Sequence, residues 1–468
     1  MKIWIKVLFP IIVGAILIIS TLFLINENFG RAIVLLSSFS IWIGICLYTK
    51  KYIFTSILYT LFVLPFNITI NIPLHVEFFN SLQINIQPFV EGIYSNYLVP
   101  TLSILDIGVF LILISFLFTK GVENLFNMTK GIKNILILFF VTLLITNIIH
   151  FDILVLLSSI RIFTYIVTLL FVTVWIKTEW KRKYINRIII LFGVSLLIQG
   201  VIGILQFNGG SSLGMNFLGE SQVANGMQGS SFISLHNNIY LRAYGTFPHP
   251  NVFGGYLLFS FVLGWFGSIC SKKYFKYLSY GIMVGSFVFS LFTFSRIAIL
   301  LMLLGWALFF TSLFKKKVFK KQINSFSFLL IFERFLNLLG DGSWVDRKNL
   351  VVSSFQIIKN NWFLGTGLGR FVKYMENNIP RTSSGILLLQ PVHNVVLLSF
   401  SELGVFSFIP FLLFFIQYFR KFIDLRKYFY LKIFILLIFT LVGLFDHYLF
   451  SLPQGLLISS ILIILLSV

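Results

Sequence analysis

The chain has 468 residues, 58% of them hydrophobic and only 11% charged, with a mean hydropathy of +0.95. Soluble domains carry roughly 25% charged residues, so this composition excludes an ordinary soluble protein. The formal net charge of +21 suits cytoplasmic loops that fix membrane orientation, not a nucleic-acid surface.

Apolar runs long enough to cross a bilayer recur along the whole chain. They predict an all-α polytopic bundle of about 12–14 transmembrane helices with long extracytoplasmic loops. The expected spans are 7–26, 32–49, 52–70, 101–118, 133–149, 153–176, 185–206, 252–270, 279–295, 297–314, 393–416, 431–449 and 452–468, with a further, shorter span at 324–340. The first follows Met1-Lys-Ile-Trp-Ile-Lys6 and precedes no small-residue cleavage site, so it reads as a retained helix. Cys46 and Cys270 fall far apart, near expected cytoplasmic helix ends, and suggest neither a disulfide framework nor a metal site.

The connections alternate in charge. Lys50-Lys51, Lys120 to Lys133, Lys177 to Arg187, Lys272 to Lys276, Lys315 to Lys321 and Arg420 to Lys432 are basic, whereas loops 71–100 and 207–250 hold one basic residue, Arg242. The first group is therefore expected in the cytoplasm and the two loops outside. From there, 279–295 rises outward, Ser295-Arg296 makes a tight outer turn, and 297–314 returns. Segment 324–340, with Glu333 and Arg334, must then cross to place 341–392 outside. Loop 207–250, rich in Gly, Ser, Asn and Gln, reads as a flexible connector or a mobile lid. Segment 341–392 contains a helix-like stretch, Val352 to Trp362. It is followed by Gly365-Thr-Gly-Leu-Gly369, expected as a tight turn that lets backbone approach a ligand.

Three polar islands interrupt this apolar chain: Leu241 to Gly255, Thr293 to Arg296, and Gln390 to Asn394. All are expected on the outer face, where they can converge on a large anionic substrate. Arg242 and Arg296 suit a diphosphate, because a guanidinium presents a planar fork and keeps its charge when buried. His393 is placed as a general base near neutral pH, with Asn394 beside it and with Asp446 and His447 available to orient it. His249, between Pro248 and Pro250, either hydrogen-bonds substrate or supports the turn, and Asn251 is expected to cap the helix that follows. Arg161, inside an apolar run, is a secondary candidate for substrate contact or for a structural ion pair. Arg347, in the outer segment 341–392, is a further substrate-binding candidate.

The chain has no Asp-X-Asp pair, His-Glu-X-X-His helix, nucleophile elbow or Walker loop. No metal or other cofactor is expected, and the substrate is expected to arrive already activated. A lipid-linked sugar diphosphate fits. A flippase for such a lipid is the alternative; it would use the same cations, but transporters usually carry internal repeats and midplane sites.

Arg242-Ala-Tyr-Gly-Thr-Phe-Pro-His-Pro-Asn251, Ser295-Arg296, Asn361 to Phe371, Pro391-Val-His-Asn394 and Glu402-Leu-Gly404 resemble the O-antigen ligase and O-antigen polymerase family. The resemblance covers roughly residues 185–450, leaving an N-terminal helical region, 1–184, and a final helix, 451–468. Trp362 and Ser407 depart from the proline and glycine common at those places. The resemblance implies a bacterial plasma-membrane glycosyltransferase of surface-polysaccharide biosynthesis, with an extracytoplasmic site and no metal. Its donor would be an undecaprenyl-diphosphate-linked glycan, its acceptor a glycan or a lipid-anchored sugar, and its surroundings membrane lipid. Residues matching Arg242 and Arg296 would bind the diphosphate, and the residue matching His393 would act at the acceptor hydroxyl.

Overall fold

The structure, a computed structural model, describes residues 29–71, 88–119, 130–179, 182–227, 229–235, 238–313, 342–375, 379–382, 385 and 387–468. The expected spans 7–26 and 324–340 lie outside the described residues. The helices are α1 Phe29–Thr49, α2 Tyr52–Val63, α3 Ile104–Phe118, α4 Lys130–His150, α5 Ile153–Glu179, α6 Arg182–Gly209 and α7 Pro250–Cys270. They continue with α8 Lys273–Thr293, α9 Arg296–Leu313, α10 Gly342–Asn361, α11 Val395–Phe422, α12 Phe429–Phe445, α13 Tyr448–Ser451 and α14 Pro453–Ser467. Among the described residues, eight helices (α1, α4 to α9 and α11) are long and apolar enough to cross a membrane. The protein is thus a multi-pass membrane protein.

Where helix ends differ from expectation, local chemistry explains the difference. Helix α2 stops at Val63, with Leu64 still in helical conformation as its cap, because Pro65 has no N–H with which to continue the ladder. Helix α3 starts at Ile104, not 101, because Ser103 and Asp106 form a reciprocal capping box. Helix α10 begins at Gly342, well before Val352. Its buried stripe is Leu350, Ser353, Ser354 and Ile357. The spacing is helical, but two of the four are serines, which hides the stripe from a hydropathy scan.

The chain divides into two compact units. The first comprises Met1–Ile70, Leu102–Leu125 and Thr164–Met302; the second comprises Asn71–Thr101, Phe126–Phe163 and Leu303–Val468. In the first, α7 is buried almost throughout and packs on α6 and α8. Small residues allow this close approach: a methyl added at Gly264 would lie 2.8 Å from Met283 Cγ and from the Ser279 carbonyl. In the second unit, α4 and α10 pack on α11. Helix α11 is broken at Gly404, whose φ of 59° and ψ of 173° are not helical.

Candidate functional site

In the first unit, the loop bearing Arg242 and His249 is held from below by α6. Gln199 and Gln206 sit seven residues apart, on one face, and both are fully buried. Gln206 Oε1 accepts from the Tyr244 and Gly245 amides at 3.0 and 2.8 Å, while its Nε2 donates to the Gly245 carbonyl at 2.9 Å and to Glu220 Oε1 at 2.7 Å. Gln199 Oε1 accepts from the Thr246 amide at 3.0 Å, and the Thr246 hydroxyl donates to the Pro65 carbonyl at 2.6 Å. Glu220, itself buried, accepts from the Leu213 and Met215 amides. Segment 207–250 therefore contains a fastened substructure and the antiparallel hairpin Phe232–Leu235 and Asn238–Leu241, so it is not a structureless connector.

Arg242 emerges from that hairpin and is half-buried. Its Nε donates to the Thr293 carbonyl at 2.7 Å and one terminal nitrogen donates to Asn251 Oδ1 at 2.8 Å. Thr293 is the last residue of α8; Phe294 turns the chain through a left-handed conformation, φ 49°, and Arg296 opens α9. The tight turn expected at Ser295-Arg296 is present, and it places Arg296, exposed, three residues from the carbonyl that holds Arg242. The start of α7 lies at the same corner: a methyl at Gly254 would stand 2.8 Å from Ser295 Cβ. Two helix N-termini, each the positive end of a dipole, thus meet two arginines.

The cap of α7 is His249, not Asn251: its Nδ1 accepts from the Asn251 amide at 3.1 Å, and Pro250 opens the helix. The other ring nitrogen, Nε2, lies 3.0 Å from Ser231 Oγ. Both nitrogens thus serve the protein, so His249 supports the turn. Asn251 orients Arg242.

In the second unit, His393 precedes Asn394, which caps α11 by accepting from the Leu397 amide at 2.9 Å and donates to the Leu444 carbonyl at 3.3 Å. His393 Nδ1 faces Asp446 Oδ1 at 3.7 Å. The same Asp446 oxygen accepts the His447 amide at 2.8 Å, and His447 Nδ1 lies 2.7 Å from Ser451 Oγ. The rings of His393 and His447 are 5.2 Å apart.

A second polar centre in this unit was not assigned from the sequence. The carboxylate of Glu402, buried in α11, accepts from the amides of Gly369 and of Phe371, the latter at 3.4 Å. These two residues flank Arg370, whose guanidinium pairs with Asp152 at 3.3 Å, donates to His150 Nδ1 at 3.4 Å and lies over Tyr374. Gly365, Gly367 and Gly369 all have positive φ. Methyl groups at Gly365 and Gly404 would overlap the facing backbone, Glu402 in the first case and Phe363 in the second. At Gly365 the turn thus meets the backbone of Glu402-Leu-Gly404, while methyl groups at Gly367 and Gly369 would meet side chains of His150, Leu154, Val155 and Ser158. The common signal for Gln206 and Glu402 was an isolated polar side chain inside an apolar helix.

Arg161 donates to the Thr101 carbonyl at 2.6 Å, a backbone tie within the second unit. Arg347 lies half-buried on α10. No protein-family model, curated protein or solved structure matches the chain.

Proposed function

We propose that the protein is a metal-independent, inverting membrane glycosyltransferase that moves a glycan from undecaprenyl diphosphate to an acceptor sugar, as an O-antigen ligase or a polysaccharide polymerase. The observation that carries the reading is the corner at Thr293 to Arg296. Arg242 is locked there beside Arg296, with the N-termini of α7 and α9 at the same place. Cationic forks with aligned helix dipoles suit a diphosphate. In this reading the site faces the outside of a bacterial plasma membrane, and the apolar helices hold the polyprenyl chain.

The step is a single displacement. The acceptor hydroxyl oxygen attacks the anomeric carbon, the bond from that carbon to the phosphate oxygen breaks, and the diphosphate leaves with its lipid. His393 takes the hydroxyl proton, and the arginines stabilise the charge on the leaving group. Arg161 is the residue a flippase reading would use; its bond to the Thr101 carbonyl supports a structural task for it.

The test uses purified protein in nanodiscs with undecaprenyl-diphosphate-linked repeat units, without metal or nucleotide. A ladder of lengthening lipid-linked chains identifies a polymerase, and one block moved to an added acceptor identifies a ligase. Donor carried across a proteoliposome membrane without any new glycosidic bond overturns the proposal.

A further inference from the structure

The trio His393, Asp446 and His447 gathers two imidazoles and a carboxylate in one place. One ligand atom from each side chain lies within 4.8 Å of the other two. His393 Nδ1 is buried with no hydrogen-bond partner among the described residues, and its 3.7 Å approach to Asp446 is too long for a hydrogen bond. The tautomer of His447 follows from Ser451. That hydroxyl has one proton, which it donates to the His447 carbonyl at 3.1 Å. With its proton placed there, the hydroxyl accepts at 2.7 Å from His447 Nδ1–H, the tautomer that frees Nε2 for a metal ion. Two imidazoles and a carboxylate thus face one another, with the His393 Nδ1 position not engaged in a hydrogen bond among the described residues.

From this geometry we infer that the trio is a binding site for a divalent transition-metal ion, with Zn²⁺ the natural occupant. Two histidines and one carboxylate are a recurrent ligand set for zinc, with the remaining position open to water. Ligand bonds of about 2.0–2.2 Å put ligand atoms roughly 3.3 Å apart, so side-chain rotations of about an ångström close the site. A metal-bound histidine ordinarily donates its other N–H to a neighbouring acceptor, and Ser451 fills that place.

The consequence for chemistry rests on the function proposed above. A metal ion on His393 Nδ1 competes with the proton that completes the His393–Asp446 pair. Occupancy therefore opposes glycosyl transfer, and the ion acts as a reversible inhibitor and not as a cofactor.

The test is a Co²⁺ titration of chelator-treated protein, purified in nanodiscs without a histidine tag. The expected result is one saturable equivalent with visible d–d absorption, displaced by Zn²⁺. Asp446→Asn and His447→Gln should each weaken binding more than tenfold, and Ser451→Ala, which leaves all three ligands, by about tenfold or more. Absence of a saturable spectrum in the unmodified protein overturns the site. So does a spectrum unchanged in both Asp446→Asn and Ser451→Ala. The transfer assay is read separately: Zn²⁺ should suppress it and chelator should restore it. If cobalt binds the trio while transfer continues unaffected, the metal site stands and the role of His393 as base falls.

Discussion

The arginine corner of the first unit and the histidine trio of the second are built on opposite plans. Around Arg242, donors largely meet acceptors: Gln206, Gln199, Glu220, Thr293 and Asn251 each engage a backbone or side-chain partner, with Gln199 Nε2 the exception. Around His393, a nitrogen, a carboxylate and a second imidazole stand close, and His393 Nδ1 makes no hydrogen bond among the described residues. The first plan suits a fixed mould for a charged group, since preorganised donors need no rearrangement when charge develops. The second suits a group that takes up a positive charge during its task. Substitutions that treat the two places differently test that contrast.

His393→Ala carries the largest expected effect. Transfer should fall by about 10²–10⁴-fold, the usual contribution of general acid–base catalysis, while binding of the lipid-linked donor stays within about twofold. Equal losses in binding and in turnover would instead make His393 part of the mould, and the contrast would collapse.

Arg242→Ala should behave in the reverse way. It removes charge-assisted hydrogen bonds worth about 1.5–3 kcal/mol each, so donor affinity should drop roughly 10–100-fold. Arg242→Lys keeps the charge but not the fork that spans the Thr293 carbonyl and Asn251, and should recover no more than part of the loss. Full recovery by lysine would mean that charge alone matters there and that the preorganised geometry is incidental.

Much of this was legible in the residues themselves. Long apolar runs located the eight helices long enough to span, because the bilayer imposes both length and composition, with ends several residues off at α8 and α11, whereas the expected spans 52–70, 101–118, 431–449 and 452–468 are shorter helices. Arg242, Arg296 and His393 stood out as polar groups bordering apolar runs. What the sequence concealed was partnership. Nothing in the pattern around His249 indicated that its ring would cap α7 while Asn251 turned to Arg242. The glycines at 365, 367 and 369 announced a tight turn, but not that Gly365 would lie against the backbone of Glu402 and Gly404. Such pairings join residues distant in sequence, and no local periodicity encodes them.

Gln206→Leu probes whether the arginine mould depends on its support. The amides of Tyr244 and Gly245 would be left buried without an acceptor, at roughly 1–3 kcal/mol each. The expected outcome is a lower thermal unfolding temperature together with weaker donor binding. Undiminished stability would show that the loop finds its conformation without α6.

The smallest effect is expected at Glu402, where the second unit uses the plan of the first. Its carboxylate accepts the two amides that flank Arg370, and so sets the position from which Arg370 reaches Asp152 and His150. Glutamine keeps one oxygen acceptor and removes a charge that is difficult to bury, two changes of opposite sign. Glu402→Gln should therefore shift stability by no more than about 1 kcal/mol and leave transfer nearly intact. Glu402→Leu, which removes both acceptors, should destabilise by roughly 2–4 kcal/mol. Unfolding and transfer measured on both variants separate the cases. If the glutamine variant folds normally yet fails in transfer, the carboxyl group itself takes part in the reaction. The second unit would then hold two reacting centres, and its contrast with the first would no longer rest on the histidine trio alone.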